Sequence, residues 1–127
     1  MINRNFICII GGAGHVGTPL GLALSSKGYN VTLIDKNQKN IKKINNGIMP
    51  FVEVGCEKLL KKMIYKKKIF ATNQLDKVKK CKYIIVCIGT PINNRFEPNL
   101  KKFFNFLKCF HSMIYFIFFR ERYFSKS

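Results

Sequence analysis

FICIIGGAGHVGTPLGLALSSKGYNVTLID, residues 6–35, decides how this chain folds. Phe6–Ile10 is a short apolar run of β-favouring residues, and glycines come at once after it, at positions 11, 12 and 14. From His15 to Lys27 the apolar residues Val16, Leu20, Ala23 and Leu24 recur at helical spacing. Gly28 then closes that helix, the position where glycine relieves the left-handed turn of a helix end. Asn30–Ile34 reads as a second strand and ends on Asp35. Strand, glycine turn, helix and strand in this order make a βαβ unit with parallel strands.

Inside that unit, Gly12-Ala13-Gly14-His15-Val16-Gly17 matches G-x-G-x-x-G. The hexamer alone is a weak signal. Its context is stronger: it comes after a strand, opens a helix, and precedes by eighteen residues an acidic residue, Asp35, at the end of the next strand. That is the complete dinucleotide-binding fingerprint. Gly12 is expected to allow the tight turn, Gly14 to let a pyrophosphate approach the backbone, and Gly17 to let the helix pack against the strand. The helix N-terminus offers unpaired N–H groups and partial positive charge to a diphosphate. Asp35 suits the hydroxyls of an adenosine ribose and repels a 2′-phosphate, so NAD is expected in preference to NADP. Lys36 beside it reads as a solvated lysine. The competing reading is an ordinary glycine loop with a strand-capping aspartate.

The pattern continues downstream. Lys36–Asn46 reads as a helix with Ile41 and Ile44 inward, Asn46-Gly47 is a turn, and Pro50 breaks the segment between that turn and the next helix. Cys56–Tyr65 reads as a helix, Ile69–Ala71 as a short strand and Gln74–Lys80 as a weak, lysine-rich helix. Tyr83–Ile88 is the strongest strand; apolar on successive residues, it is expected to be covered on both faces, as in a parallel sheet. Gly89-Thr90-Pro91 ends it on the carboxyl edge, where ligands of open α/β sheets sit, so Thr90 is a candidate cofactor contact. Alone, that tripeptide is only a turn. The fold class is therefore α/β, a Rossmann-like doubly wound parallel sheet, and no internal repeat is visible.

The formal net charge of +17 normally signals an anionic partner. Here the lysines are scattered through every segment beside abundant Asn, Ile and Phe, as an AT-rich coding sequence produces. They lack aromatic interleaving and a recognisable nucleic-acid motif, so no nucleic-acid partner is expected. The five cysteines, Cys8, Cys56, Cys81, Cys87 and Cys109, form no CxxC pair and no histidine lies at metal-ligand spacing. They are expected to be free, mostly buried thiols in a reducing compartment, and no metal site is assigned. The apolar run after Arg4 is too short for a signal peptide, and no stretch approaches the roughly 18 apolar residues of a membrane span. The expectation is a soluble, cytoplasmic protein without a membrane partner.

Three segments carry a family resemblance: GGAGHVGTPLGLALSSKGYNVTLID, then INNGIMPFVEVGCEKLL, then YIIVCIGTPI. In order and without large gaps over about residues 4 to 108, they resemble the N-terminal NAD-binding domain of the UDP-glucose/GDP-mannose dehydrogenases. The GxGxVGxPLG start, the NxGxxPxxE turn with Gly47, Pro50 and Glu53, and the strand ending in Gly-Thr-Pro are seldom found together elsewhere. GTPINNRFEPNL looks most like the UDP-N-acetylmannosamine and UDP-N-acetylglucosamine branch. The resemblance implies NAD-dependent, two-step oxidation of a sugar-nucleotide C6 alcohol to a carboxylate, for surface polysaccharide. It implies cofactor contacts at His15, Val16, Asp35 and Thr90, and a place for Glu53 near cofactor and substrate; a surface glutamate in a turn is the alternative for Glu53.

In the family the nucleophilic cysteine lies in a glycine-rich FxPGxGxGGxC-like motif beyond the NAD domain, and none of the five cysteines here has that context. No catalytic residue is therefore assigned. Residues 1–108 are read as the NAD-binding domain, and 109–127 as an aromatic-rich tail, with an out-of-frame origin preferred over a buried helix or a surface anchor. A UDP-sugar is expected to bind only if a C-terminal domain completes the chain, and the central helix through which the family homo-oligomerises is not matched. The chain reads as a truncated fragment, inactive alone, with an incomplete sheet of the first four or so strands and Tyr83–Ile88 at its edge. The alternatives are a non-catalytic NAD-binding module that acts with a partner chain and, less favoured, a basic nucleic-acid-binding protein.

Overall fold

The computed structural model describes residues 3–87 together with residues 94, 95, 101, 105 and 108. The elements run β1 (Asn3–Ile10), α1 (Gly17–Ser26), β2 (Asn30–Ile34), α2 (Gln38–Asn45), α3 (Cys56–Tyr65), β3 (Ile69–Thr72), a 3₁₀ helix (Leu75–Lys80) and β4 (Cys81–Val86). The four strands form one sheet in the order β3-β2-β1-β4, all parallel. In register, Cys8 stands opposite Thr32 on one side and Ile84 on the other. This is the doubly wound arrangement expected from the alternation of strands and helices.

β1 and β2 are central and read as unbroken apolar runs because both of their faces are covered. Ile7, Cys8, Ile9 and Ile10 are all buried, as are Val31, Thr32, Leu33 and Ile34. Around them pack Leu22 of α1, Ile41 and Ile44 of α2, and Leu60 and Met63 of α3. The 3₁₀ helix stands where a weak α-helix was expected, and seats only Val78 in the interior. With lysine at Lys77, Lys79 and Lys80, the segment has no apolar stripe to hold a longer helix down.

The helices α1, α2 and α3 end in the same way. After α1, Gly28 N–H donates to Ser25 O and Tyr29 N–H to Leu24 O, the paired bonds of a Schellman motif, with Gly28 at φ 102°. After α2, Gly47 at φ 74° does the same with Ile44 O while Ile48 N–H reaches Lys43 O. After α3 the left-handed position is taken by Lys67, at φ 56°. The outer edge of β3 is closed by a side chain: Asn45 Oδ1 accepts from Ala71 N–H and Asn45 Nδ2 donates to Ala71 O, both at 2.8 Å. That amide stands where a neighbouring strand would have paired.

Two expectations need correction. Cys8 and Cys81 are not free thiols: they are paired as a disulfide, with Cα atoms 6.0 Å apart, because β1 and β4 are neighbours in the sheet. Cys56 and Cys87 are free, and Cys109 lies outside the described residues. Second, β4 is not covered on both faces. Tyr83 and Val86 are exposed and Ile84 and Ile85 only half-buried, β4 standing at the end of the strand order among the described strands. Gly89-Thr90-Pro91 and the aromatic tail 109–127 lie outside the described residues.

Candidate functional site

At the carboxyl edge of the sheet the chain leaves β1, turns through Gly11–Val16 and enters α1. Gly11 N–H and Gly12 N–H both donate to Ile34 O, at 2.8 and 3.2 Å, which ties the start of the loop to the end of β2. Buried Thr18 donates its hydroxyl to Gly12 O at 2.7 Å and holds the same turn from the helix side. The left-handed residue of this turn is Gly11, at φ 76°. Gly12 is required for a different reason from the expected one. A Cβ there would stand 2.7 Å from Leu33 Cβ and 2.8 Å from Ile9 O, so its hydrogen lets the loop lie directly on β2.

Gly17 is similarly enclosed, a Cβ meeting Gly11 O at 2.5 Å and Gly12 Cα at 2.6 Å. Gly21, one turn on, would meet Leu33 Cδ2 at 2.7 Å. Gly14 differs: a Cβ there would meet only Gly11 O, at an ordinary 3.5 Å. Internal packing does not require glycine at position 14, whereas a ligand resting on the loop does. Beside it, the N–H groups of His15 and Val16 have no acceptor among the described residues, and the first turn of α1 has no side-chain cap. Those free donors, with the helix dipole behind them, form a face for an anion.

Asp35 closes the other side. Its Oδ2 accepts from Ala13 N–H at 3.1 Å and its Oδ1 from Asn37 N–H at 3.0 Å. A carboxylate has about four acceptor positions, so both oxygens keep capacity for further donors such as ribose hydroxyls. Asn40 Nδ2 donates to Ala13 O at 3.0 Å, and Asn37 caps α2 by accepting from Asn40 N–H at 3.1 Å. The His15 ring stacks on Phe51, centroids 4.2 Å apart, which lays the segment after Pro50 against the glycine loop. In that segment Glu53 is exposed, its carbonyl accepting from Cys56 N–H, and Val52 and Val54 on either side are almost fully exposed.

The structure thus brings Gly12, Gly14, His15, Val16, Gly17 and Asp35 together, and places Glu53 on the neighbouring segment. Thr90 lies outside the described residues. Sequence reasoning missed Thr18, Asn40 and Phe51, none of which belongs to the fingerprint. Among the described residues no group of three His, Cys, Asp or Glu stands close enough to hold a metal ion, and no helix is long and apolar enough to cross a membrane.

A parallel βαβ unit with an open donor face at its glycine loop, and a carboxylate at the end of its second strand, defines a dinucleotide-binding domain of the Rossmann type. Residues 5–114 match the model of the UDP-glucose/GDP-mannose dehydrogenase family, NAD binding domain, and the chain belongs to that family. It is 30% identical over 89 residues, or 70% of its length, to the UDP-N-acetyl-D-mannosamine dehydrogenase of Pyrococcus horikoshii, of which it covers 21%. It is 36% identical over 81 residues, or 63% of its length, to the GDP-mannose 6-dehydrogenase of Pseudomonas savastanoi pv. phaseolicola, covering 18% of that protein. Among solved structures, a ternary complex of GDP-mannose dehydrogenase from Pseudomonas aeruginosa superposes with TM-score 0.71 at 31% identity, over 76% of this chain and 22% of the other. The chain spans about a fifth of the length of these relatives.

Proposed function

We propose that this chain is the cofactor-binding part of a nucleotide-sugar 6-dehydrogenase of the cytoplasm. The NAD domain takes in residues 5–114, the span of the family match. The observation that carries the reading is the convergence of the Asp35 carboxylate with the N–H groups of His15 and Val16, which have no acceptor among the described residues, beside the uncrowded Gly14. The loop amides and the start of α1 take the diphosphate, and the free acceptor capacity of Asp35 takes the adenosine ribose hydroxyls. A 2′-phosphate would meet that carboxylate, which disfavours NADP. Thr90 is a proposed contact of the cofactor's ribose or pyrophosphate, and Glu53 is placed near cofactor and substrate, from the family motif alone.

Bound NAD supplies a hydride acceptor for the oxidation of an alcohol. The residues of this chain bind and orient that acceptor, and no residue here is assigned the role of nucleophile. Oxidation of a UDP-sugar at C6, for surface polysaccharide, is assigned to a protein in which a further domain supplies the catalytic thiol and the sugar-nucleotide site. The chain alone is expected to bind NAD without turning over a sugar nucleotide.

Titration calorimetry of the purified chain tests this reading. NAD should give a saturable heat and NADP a weaker one. Asp35→Ala should raise Kd for NAD by about 10- to 100-fold, the loss of one or two hydrogen bonds to a charged acceptor. A wild-type chain that shows no heat with NAD, or prefers NADP, would sink the assignment.

A further inference from the structure

We infer that Asn40 is a positioning residue: its amide holds the Ala13–Gly14 peptide in the orientation that presents the glycine loop to a diphosphate. The inference rests on the cofactor reading above and concerns a residue outside the G-x-G-x-x-G fingerprint and Asp35.

Four hydrogen bonds form a closed ring at this point. Ala13 N–H donates to Asp35 Oδ2, and Asn37 N–H donates to Asp35 Oδ1. Asn40 N–H donates to Asn37 Oδ1, and Asn40 Nδ2 returns to Ala13 O. All four lie between 3.0 and 3.1 Å. Both polar groups of Ala13, itself buried, are thereby held, the N–H by Asp35 after β2 and the carbonyl by Asn40 of α2.

The carbonyl of Ala13 and the N–H of Gly14 belong to one planar peptide unit, held at its oxygen by Asn40 at 3.0 Å and at its N–H by Gly11 O at 3.3 Å. Without Asn40 only the longer of these two bonds holds the unit, and Gly14 has no Cβ to resist its turning over. The overturned peptide would aim a carbonyl oxygen, the negative end of its dipole, at the place where the anion sits. Asn40 prevents that by engaging the oxygen from the opposite side. The requirement is for a donor: an aspartate at position 40 has the same shape but only acceptors.

This role separates by ligand. The Ala13–Gly14 peptide shapes the loop from which the His15 and Val16 N–H groups face the diphosphate, whereas Asp35 faces the ribose. Asn40→Ala should therefore raise Kd for NAD and for ADP-ribose about tenfold, the equivalent of one hydrogen bond, and leave Kd for adenosine unchanged within about twofold. Asn40→Asp should lose at least as much as the alanine variant. In both variants hydrogen exchange at Gly14 N–H should accelerate while the midpoint of global unfolding stays near wild type. Asp35→Ala should weaken all three ligands.

Calorimetry and NMR titration on the full chain read these outcomes. NAD binding at wild-type strength in both Asn40 variants, with loss in Asp35→Ala, would overturn the inference and leave the cofactor reading standing. Equal weakening of adenosine and NAD would also overturn it, because the residue would then act on the fold at large. A wild-type chain that binds neither NAD nor adenosine removes the cofactor reading and this inference with it.

Discussion

Gly12 and Gly14 stand two positions apart in one loop and are glycine for different reasons. At Gly12 the obstacle to a side chain is the protein itself: the Cβ of an alanine would be 2.9 Å from Leu33 Cα, and a backbone atom in a central strand cannot give way. At Gly14 there is room for a methyl group until a ligand arrives. Gly12→Ala should therefore destabilise the fold by about 1–3 kcal/mol, the usual cost of overpacking. Gly14→Ala should melt near wild type yet raise Kd for NAD at least about tenfold. Thermal melts and calorimetry on the two variants check the pair, and a Gly14→Ala chain that binds NAD normally would show that nothing approaches the loop there. The fingerprint made these positions legible in the sequence but did not separate their causes. The separation depends on Leu33, a residue twenty-one positions beyond Gly12 in the chain. Thr18 and Asn40 were invisible for a related reason: each acts through a backbone carbonyl, and no residue pattern records which carbonyl a side chain will meet.

Among the elements, helix ends show where sequence signals succeed and fail. Gly28 and Gly47 mark the ends of α1 and α2 because glycine accepts the left-handed conformation a Schellman turn requires. The end of α3 has the same two bonds, Lys67 N–H to Ile64 O and Lys68 N–H to Met63 O, with lysine in the left-handed place. A run of three lysines gave no reason to place the turn there. A side chain in that conformation costs about 1 kcal/mol or somewhat more. Lys67→Gly should therefore raise stability by about 1 kcal/mol, less a few tenths for the added freedom of glycine in the unfolded chain. Urea denaturation measures it, and an unchanged or lowered midpoint would mean that the turn at Lys67 is not strained. Asn45 makes the complementary point. The NxGxxPxxE motif drew attention to Gly47, Pro50 and Glu53, while its asparagine closes the edge of β3 through Ala71, a pairing set by tertiary structure alone.

At the scale of the molecule, alternation of strands and helices made the doubly wound class legible, and the observed order β3-β2-β1-β4 puts the apolar strand β4 at the edge of the described sheet. The Cys8–Cys81 pair was not legible, because it joins residues separated by 73 positions that meet only once β4 lies beside β1. The two edges are managed differently. β3 is closed by Asn45, whereas β4 is paired with β1 alone among the described strands and carries exposed Tyr83 and Val86. An edge of that composition templates pairing with a second chain. Against it stands the net charge of +17, which makes chains of this kind repel one another. Salt removes the repulsion, the screening length falling to about 10 Å at 0.1 M, but leaves the apolar edge unchanged. The isolated chain should therefore be most dispersed at low ionic strength and should self-associate as salt is raised, the reverse of a protein held together by ion pairs. Light scattering across a salt series measures this. Val86→Lys and Tyr83→Lys place charge on the edge strand and should shift the onset to higher salt without altering NAD binding. A chain that stays monodisperse at every ionic strength and melts cooperatively would show that the β4 edge is already covered.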